Sequence, residues 1–493
     1  MHDYCFRGIH MKRISLILSA LFIFSVLLGA CQNSSGGVNA NLTSADTDAE
    51  TTEADARNAI PDNLPATDFE GREFRIYSST ERETTFYADE QNADVVNDAI
   101  ITAIGITEER FDVDIVNIDS GGDDVKHNEK IRTSINVGDD TFDVAENHDA
   151  LSGGLAVQGL LLNLYKMPNL DFSKPWWPSN AVESLTYRDQ MYLASSNISY
   201  RGFQQTRVLF FNKNLMADRN MEEPYTYVFD GTWTLDKFIS MTKDLYEDLN
   251  GNSKVDNEDL FGYVAKGPIY CYLEQYHLTP VQKTDDGELI LGINNDRTVT
   301  LVGKMYDLLH GSAGGTIKDY STTEKMFSSE HALFAFGEIS DASLKYRYTE
   351  VNYGIVMQPK LDEAQEKYYA EYTDRFFLFP VTTKDINFST IIFEAMSAEG
   401  YKKIFPAYYE IALKQKYTYD NESMRVLDII NDARVIDFSY VYCNDINNML
   451  NTLFFSTPSK DFASLYAKNE KNLNKKLKEI TKSYEKLEAR TAE

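Results

Sequence analysis

EFRIYS (residues 73–78), VVNDAIITAIGITEERF (95–111) and VDIVNI (113–118) follow one another as strand, helix and strand. The long middle segment carries the apolar spacing of a helix, and the two short ones are rich in strand formers. The alternation continues with a helix over Asp124–Asn136 and a short buried strand, Phe142–Ala145, that ends in Glu146-Asn147-His148-Asp149. Alternation of this kind predicts an α/β protein whose parallel sheets are covered by helices. Further along, Met191–Ser196 and Thr206–Asn212 (TRVLFFN) read as strands flanking a polar stretch, Asn197–Gln205, taken as a crossing between domains. A helix is predicted over Leu235–Leu249, with Thr234 as its N-cap and Trp233 as a hydrophobic staple. Tyr353–Met357 is another strand, Phe376–Pro380 and the helix Ser389–Ser397 return to the first domain, and the chain is helical from Phe462 to its end. No internal repeat is visible.

The 493 residues exceed one ordinary core, so two or three domains are expected. The net charge of −28 repels phosphate backbones and anionic headgroups, which argues against nucleic acid as a partner. Met11-Lys12-Arg13 is a basic start, Ile14–Leu28 an apolar run too short for a stable span, and Leu28-Gly29-Ala30-Cys31 closes it. This resembles a bacterial lipobox, which makes residues 1–30 a signal peptide, with Met11 the natural start, and Cys31 the lipidated residue. Residues 31–66 then read as a lipidated cysteine and a flexible acidic linker, too poor in large apolar groups to fold. Of the remaining cysteines, Cys271 and Cys443 are either a disulfide or two isolated thiols.

No His-Glu-x-x-His, Gly-x-Ser-x-Gly or phosphate-loop string is present. Several strings instead resemble the extracellular solute-binding proteins of ABC importers, the family that includes maltose-binding protein. They are Phe142-Asp143-Val144, His148-Asp149, Gly153-Gly154 and Gly159-Leu160-Leu161, then Leu209-Phe210-Phe211-Asn212-Lys213, Gly231-Thr232-Trp233-Thr234 and Pro406-Ala407-Tyr408-Tyr409. The resemblance implies a two-lobed periplasmic-binding-protein-like fold with discontinuous lobes, 67–200 plus 372–400 and 201–371 plus 401–493, joined by a hinge. It implies a non-enzymatic monomer on the outer face of the membrane that delivers a solute, most simply a carbohydrate, to an importer permease. A peptide or other solute on the same fold is the alternative, and a surface lipoprotein with adhesive or glycosidase activity is a third reading.

Candidate ligand contacts sit at strand ends and crossings: Ser79, Glu146, His148, Asp149, Tyr200, Arg201 and Glu338. Tyr440 joins them because the family often places an aromatic platform there. Trp176-Trp177 is read as a pair that pins a loop. Finally, Asp248, Asn250, Asn252, Asp256 and Asp259 place oxygen side chains at positions 1, 3, 5, 9 and 12 of a twelve-residue loop, with the Lys254 carbonyl at position 7. That spacing suits a calcium ion (Ca2+), as in EF-hand and dockerin loops. Ser253 replaces the usual glycine at position 6, Val255 is expected to anchor the loop to the lobe, and Glu258 competes with Asp259 for the last place. The lipobox makes a direct prediction. Cys31→Ser leaves the protein unprocessed or releases it from the membrane fraction, and equal palmitate incorporation into that variant would exclude Cys31 as the lipid site.

Overall fold

The structure is a computed structural model that describes residues 53–79, 84–267, 273–311, 314–418 and 420–491. The chain divides at Thr52, and every described residue belongs to the unit Glu53–Glu493. Cys31, the signal peptide, the first part of the linker and Cys271 lie outside the described residues.

The first strands are β1 (Arg72–Ser78), β2 (Val113–Asp119) and β3 (Val144–His148). β1 lies between the other two and pairs parallel with both. Phe74 and Ile76 point to one face of the pleat and are fully buried. Parallel neighbours need a crossover, and the helices Val95–Phe111 and Asp124–Val137 supply it. Asp94 starts the first of these by accepting from the Val96 and Asn97 backbone N–H groups, and Gly138, at φ +76°, stops the second.

The second sheet begins with β4 (Arg207–Asn212), β5 (Tyr246–Glu247) and β6 (Leu260–Lys266). A separate ribbon follows, β7 (Val281–Lys283) with β8 (Leu289–Leu291). The sheet is completed by β9 (Gly315–Lys318), β10 (Ala332–Glu338) and β11 (Tyr353–Met357). Its order is β11-β4-β10-β6-β5, with β9 also paired to β6. All six residues of β4 are buried, as its unbroken apolar run requires of a strand covered on both faces. β12 (Ala370–Glu371), β13 (Arg375–Leu378) and β14 (Arg434–Val435) close the list; β13 joins the first sheet antiparallel to β3, and β12 pairs with β14.

Trp233 performs as the staple expected of it. It packs on Phe238 at 5.6 Å, while Thr234 accepts from the Lys237 N–H and Trp233 Nε1 donates to the Met357 carbonyl at 2.9 Å. The helix it opens ends at Thr242, seven residues before the predicted Leu249. The reason is tertiary. The Thr242 carbonyl is pressed against Gly262 and Gly314, where a Cβ would stand 2.3 and 1.9 Å from its oxygen. Beyond it, Tyr246 and Glu247 are drawn into pairing with β6.

Met191–Ser196 is not a ladder strand; Ala194 alone bridges Phe377, and the Ser195 and Ser196 hydroxyls bind Asp374 and Ser397 instead. Within Asn197–Gln205, Arg201–Gln204 forms one helical turn. The linker also departs from expectation, since from Glu53 it is docked. Asp62 pairs with Arg110, and Lys174 Nζ donates to the Pro61 carbonyl at 2.7 Å. The long helix Phe462–Thr491 is as predicted.

The helix Ile386–Glu399 is buried at nearly every position, including Glu394, which accepts from Trp176 Nε1 at 2.9 Å. Trp176 thus pins its loop as expected. Burial pushes the Glu394 carboxyl up to about 8, above its unfolded value, so the folded protein holds a proton there that the unfolded chain releases. Stability from this group is full at low pH and is lost as pH rises through about 8. Glu394→Gln should flatten the fall in urea midpoint between pH 5 and 8; an unchanged pH profile would show that Glu394 is ionised in the fold.

Candidate functional site

In each sheet one antiparallel strand begins where a parallel strand ends. Arg375, the first residue of β13, pairs with His148, the last of β3; Arg207, the first of β4, pairs with Glu338, the last of β10. Both sheets therefore turn the carboxyl ends of their parallel strands toward the chain crossings just before Arg207 and Arg375. The crossings are tied together, since Thr206 bridges Tyr372 and Arg207 Nη2 donates to Thr373 Oγ1 at 3.3 Å. Beyond strand carboxyl ends, backbone N–H groups and loop side chains are free to meet a ligand.

On the first sheet this edge holds Ser79, Glu146, His148 and Asp149, four of the predicted residues. The Ser79 hydroxyl donates to the Gly122 carbonyl at 2.9 Å. Glu146 is buried and accepts from Arg375 Nε at 2.8 Å, while Arg375 Nη1 reaches Asp124 at 2.6 Å. His127 lies beneath. Its Nε2 must donate to the Glu146 carbonyl, and its Nδ1 then accepts from the Ser120 hydroxyl, both at 2.7 Å. Burial pushes this imidazole down to about 4, which keeps it neutral and holds the tautomer. His148 begins the helix Asp149–Val157. Burial pushes its pKa down, but the Asp149 carboxylate 3.0 Å away outweighs that and raises it.

Asp149 is 2% exposed, and both its oxygens are taken: Oδ1 accepts from the Ala150 N–H at 2.7 Å and Oδ2 from the Asp374 N–H at 2.8 Å. In this structure it fastens the start of a helix to the second crossing. Tyr440 lies on the short helix Phe438–Tyr442, which packs against the helix after Asp149. A Cβ on Gly153 would stand 2.3 Å from the Val441 carbonyl oxygen, so only glycine permits that approach. Tyr200 stacks on Tyr408 at 4.5 Å and borders a recess of about 370 Å³ with Tyr87 and Asn97. Arg201 starts the helical turn beside it.

On the second sheet the edge holds Glu338, with Arg207 at 3.3 Å and Lys266 at 3.4 Å. Burial pushes the Glu338 carboxyl up, and the two cations more than offset it, so it stays ionised. Lys266 is itself pushed down to about 8, chiefly by burial. Its ammonium lies over the ring of Tyr320, which is 51% exposed and whose hydroxyl donates to Glu338 at 3.4 Å. Arg207, Lys266, Tyr320, Arg375 and His127 were all missed from sequence. The only signal was indirect: Arg207, Lys266 and Arg375 stand at the ends of strands whose partners are distant in the chain, while His127 and Tyr320 lie in the first turns of helices.

Two other features hold none of these residues. A recess of about 880 Å³ opens beside the β12–β14 ribbon, bordered by Tyr165, Tyr369 and Phe438, and none of the predicted residues lines it. The loop Asp248–Asp259 joins β5 to β6 at the amino end of β6. Val255 does not anchor it, being 71% exposed; the pairing of β5 with β6 holds the base of the loop instead. Among the described residues no three Asp, Glu, His or Cys side chains converge as a ready metal cage.

No protein-family model matches the chain, and no curated protein sequence does. Solved structures do. The galacto-N-biose/lacto-N-biose I-binding protein of an ABC transporter from Bifidobacterium longum, in complex with lacto-N-biose, aligns with a TM-score of 0.57 at 11% identity over 84% of this chain and 98% of that one. A cyclo/maltodextrin-binding protein complexed with maltotetraose aligns with a TM-score of 0.55 at 15% identity over 84% and 97%. UgpB from Mycobacterium tuberculosis, in complex with glycerophosphocholine, gives 0.50 at 13% over 86% and 99%. The chain thus has an α/β fold of the periplasmic-binding-protein type, with two mixed sheets. It is, more narrowly, the fold of the carbohydrate-binding proteins of ABC transporters, maltodextrin-binding proteins among them.

The site's ion pairs allow a test of its architecture. Arg375→Met leaves Glu146 and Asp124 without their shared cation and should destabilise the protein by about 3–5 kcal/mol in urea. A loss under about 1 kcal/mol would mean that these carboxylates are solvated rather than buried.

Proposed function

We propose that this chain is the solute-binding component of an ABC importer and that it captures a carbohydrate between its two sheets. The observation that carries the reading is the turning of both sheets' strand-end clusters toward one pair of crossings. Glu146 and Glu338 have lone pairs to accept sugar hydroxyls, and the Tyr320 ring offers an exposed flat face for stacking. Residues 67–200 with 372–400, and 201–371 with 401–493, act as two lobes that close about the crossings; closure gives the permease a state to distinguish from the empty one. The lipid at Cys31 holds the protein on the outer face of the membrane. Among the described residues no helix is long and apolar enough to cross a membrane. The role is binding without catalysis, in keeping with Glu146 and Glu338 each being held in an ion pair with an arginine.

A charged solute is the second reading, prompted by Arg207, Lys266 and Arg375. Arg207 and Lys266 share Glu338, and Arg375 has both Glu146 and Asp124, so three cations meet three carboxylates and the edge as a whole carries little free positive charge to select an anion. A melting-temperature screen over mono- and oligosaccharides, peptides and glycerophosphodiesters separates these readings, since a ligand bound only by the fold raises the midpoint. An oligosaccharide should raise it, and Tyr320→Ala should weaken that binding by roughly 1 kcal/mol, about fivefold, with the ligand-free midpoint unchanged. If only peptides or glycerophosphodiesters shift the midpoint, the carbohydrate reading is wrong.

A further inference from the structure

Asp248–Asp259 is the turn of a hairpin, with Tyr246 paired to Phe261 and Glu247 to Leu260 at its base. Its backbone is wound around its own side chains. Asp248 Oδ1 accepts from the Gly251 and Asn252 N–H groups and Oδ2 from that of Ser253; Asn250 and Asn252 accept from Asn252 and Lys254. Ser253, at position 6, takes φ +59°, the left-handed conformation that the usual glycine would adopt there. None of this demands an ion, because a polar turn can be wound the same way.

Asp259 is different. It is fully buried, with Oδ2 accepting from the Tyr246 hydroxyl at 2.9 Å and the Asp256 N–H at 2.8 Å, while Oδ1 is buried with no hydrogen-bond partner. An unpaired buried carboxylate oxygen is among the costlier groups a fold can hold, and a cation bound beside it would supply what is missing. The neighbouring carboxylates are met only by amides. Asn252 Nδ2 donates to Asp256 at 2.7 Å and Asn250 Nδ2 to Glu258 at 3.1 Å, positions from which a cation would displace them.

We infer that this loop binds a calcium ion through the side chains of Asp248, Asn250, Asn252, Asp256 and Asp259 and the Lys254 carbonyl. Asp259 rather than Glu258 completes the set, because it owns the unpaired oxygen. An all-oxygen set from one flexible turn suits calcium's six to eight ligands at 2.3–2.6 Å better than magnesium's strict octahedron. The site stands at the amino end of β6, about 20 Å along the strand from Lys266. The ion therefore closes a hairpin and takes no part in holding the solute.

Terbium(III) alone is the probe, with the Tyr246 hydroxyl on Asp259 placed to sensitise its emission. The intact protein should show saturable emission that millimolar calcium displaces, and Asp248→Ala should weaken terbium binding at least tenfold. A chelator should lower the melting temperature of the wild type by several degrees and leave that of Asp248→Ala unchanged, with calcium restoring the former. Asp256→Asn, on a partly exposed residue, serves the same comparison if Asp248→Ala does not fold. Equal terbium affinity in wild type and variant, or a wild-type midpoint indifferent to both chelator and calcium, overturns the inference. The sugar-induced shift should persist in Asp248→Ala, so failure here and failure of the transport reading are told apart.

Discussion

The guanidinium of Arg375 sits between Glu146 and Asp124 with 6% of its side chain exposed, and the register of the first sheet depends on it. Three charges removed from water recover little net stability, because their mutual attraction mainly offsets desolvation. What they confer is uniqueness. Arg375 begins β13, and only one pairing with β3 places its Nε on Glu146 while Phe376, Phe377 and Leu378 enter the core. A slip of one residue would bury an unpaired cation and turn those apolar side chains over. The same register delivers Asp374 to Asp149 and Thr373 to Arg207, so one buried cation sets the height at which the returning chain meets both sheets.

The second sheet repeats the device with different residues. Arg207 opens β4 opposite Glu338, as Arg375 opens β13 opposite Glu146. In both sheets an antiparallel strand enters beside parallel ones, and its first residue lies at their carboxyl edge, where strand ends leave room for long charged side chains. The protein is strongly acidic overall, at −28, yet this edge gathers Arg207, Lys266 and Arg375 and balances them locally. A neutral, hydrogen-bonding edge beside an exposed tyrosine suits a polyhydroxylated solute better than an ion.

What could be read in advance was what the chain specifies over short distances. The strands around Phe74, Ile115 and Leu209, the crossover helix Val95–Phe111, the Trp233 staple and the final helix all rest on periodicity, caps and neighbours a few residues apart. That His148 and Asp149 stand at a strand end was legible for the same reason, although the strand runs on past Ala145 through Glu146 to His148, and so was the oxygen spacing from Asp248 to Asp259. Three misreadings share the opposite cause. The helix after Trp233 stops at Thr242 because Gly262 and Gly314 press on its last carbonyl, and Met191–Ser196 leaves the ladder because its serines bind Asp374 and Ser397. The linker from Glu53 is docked because Asp62 meets Arg110.

The site divides along the same line. Its carboxylates were visible as residues at the ends of predicted strands, but their partners were not. Arg375 stands 229 residues from Glu146, and Asp374 stands 225 from Asp149. Nothing local distinguishes such an arginine from one on the surface. The sequence by itself determined most of the strands and helices, and so that parallel strands with open carboxyl edges would form, but not the antiparallel strands that make both sheets mixed. Only the tertiary structure decided which charges meet at those edges, because that depends on the register of strands brought together from distant parts of the chain.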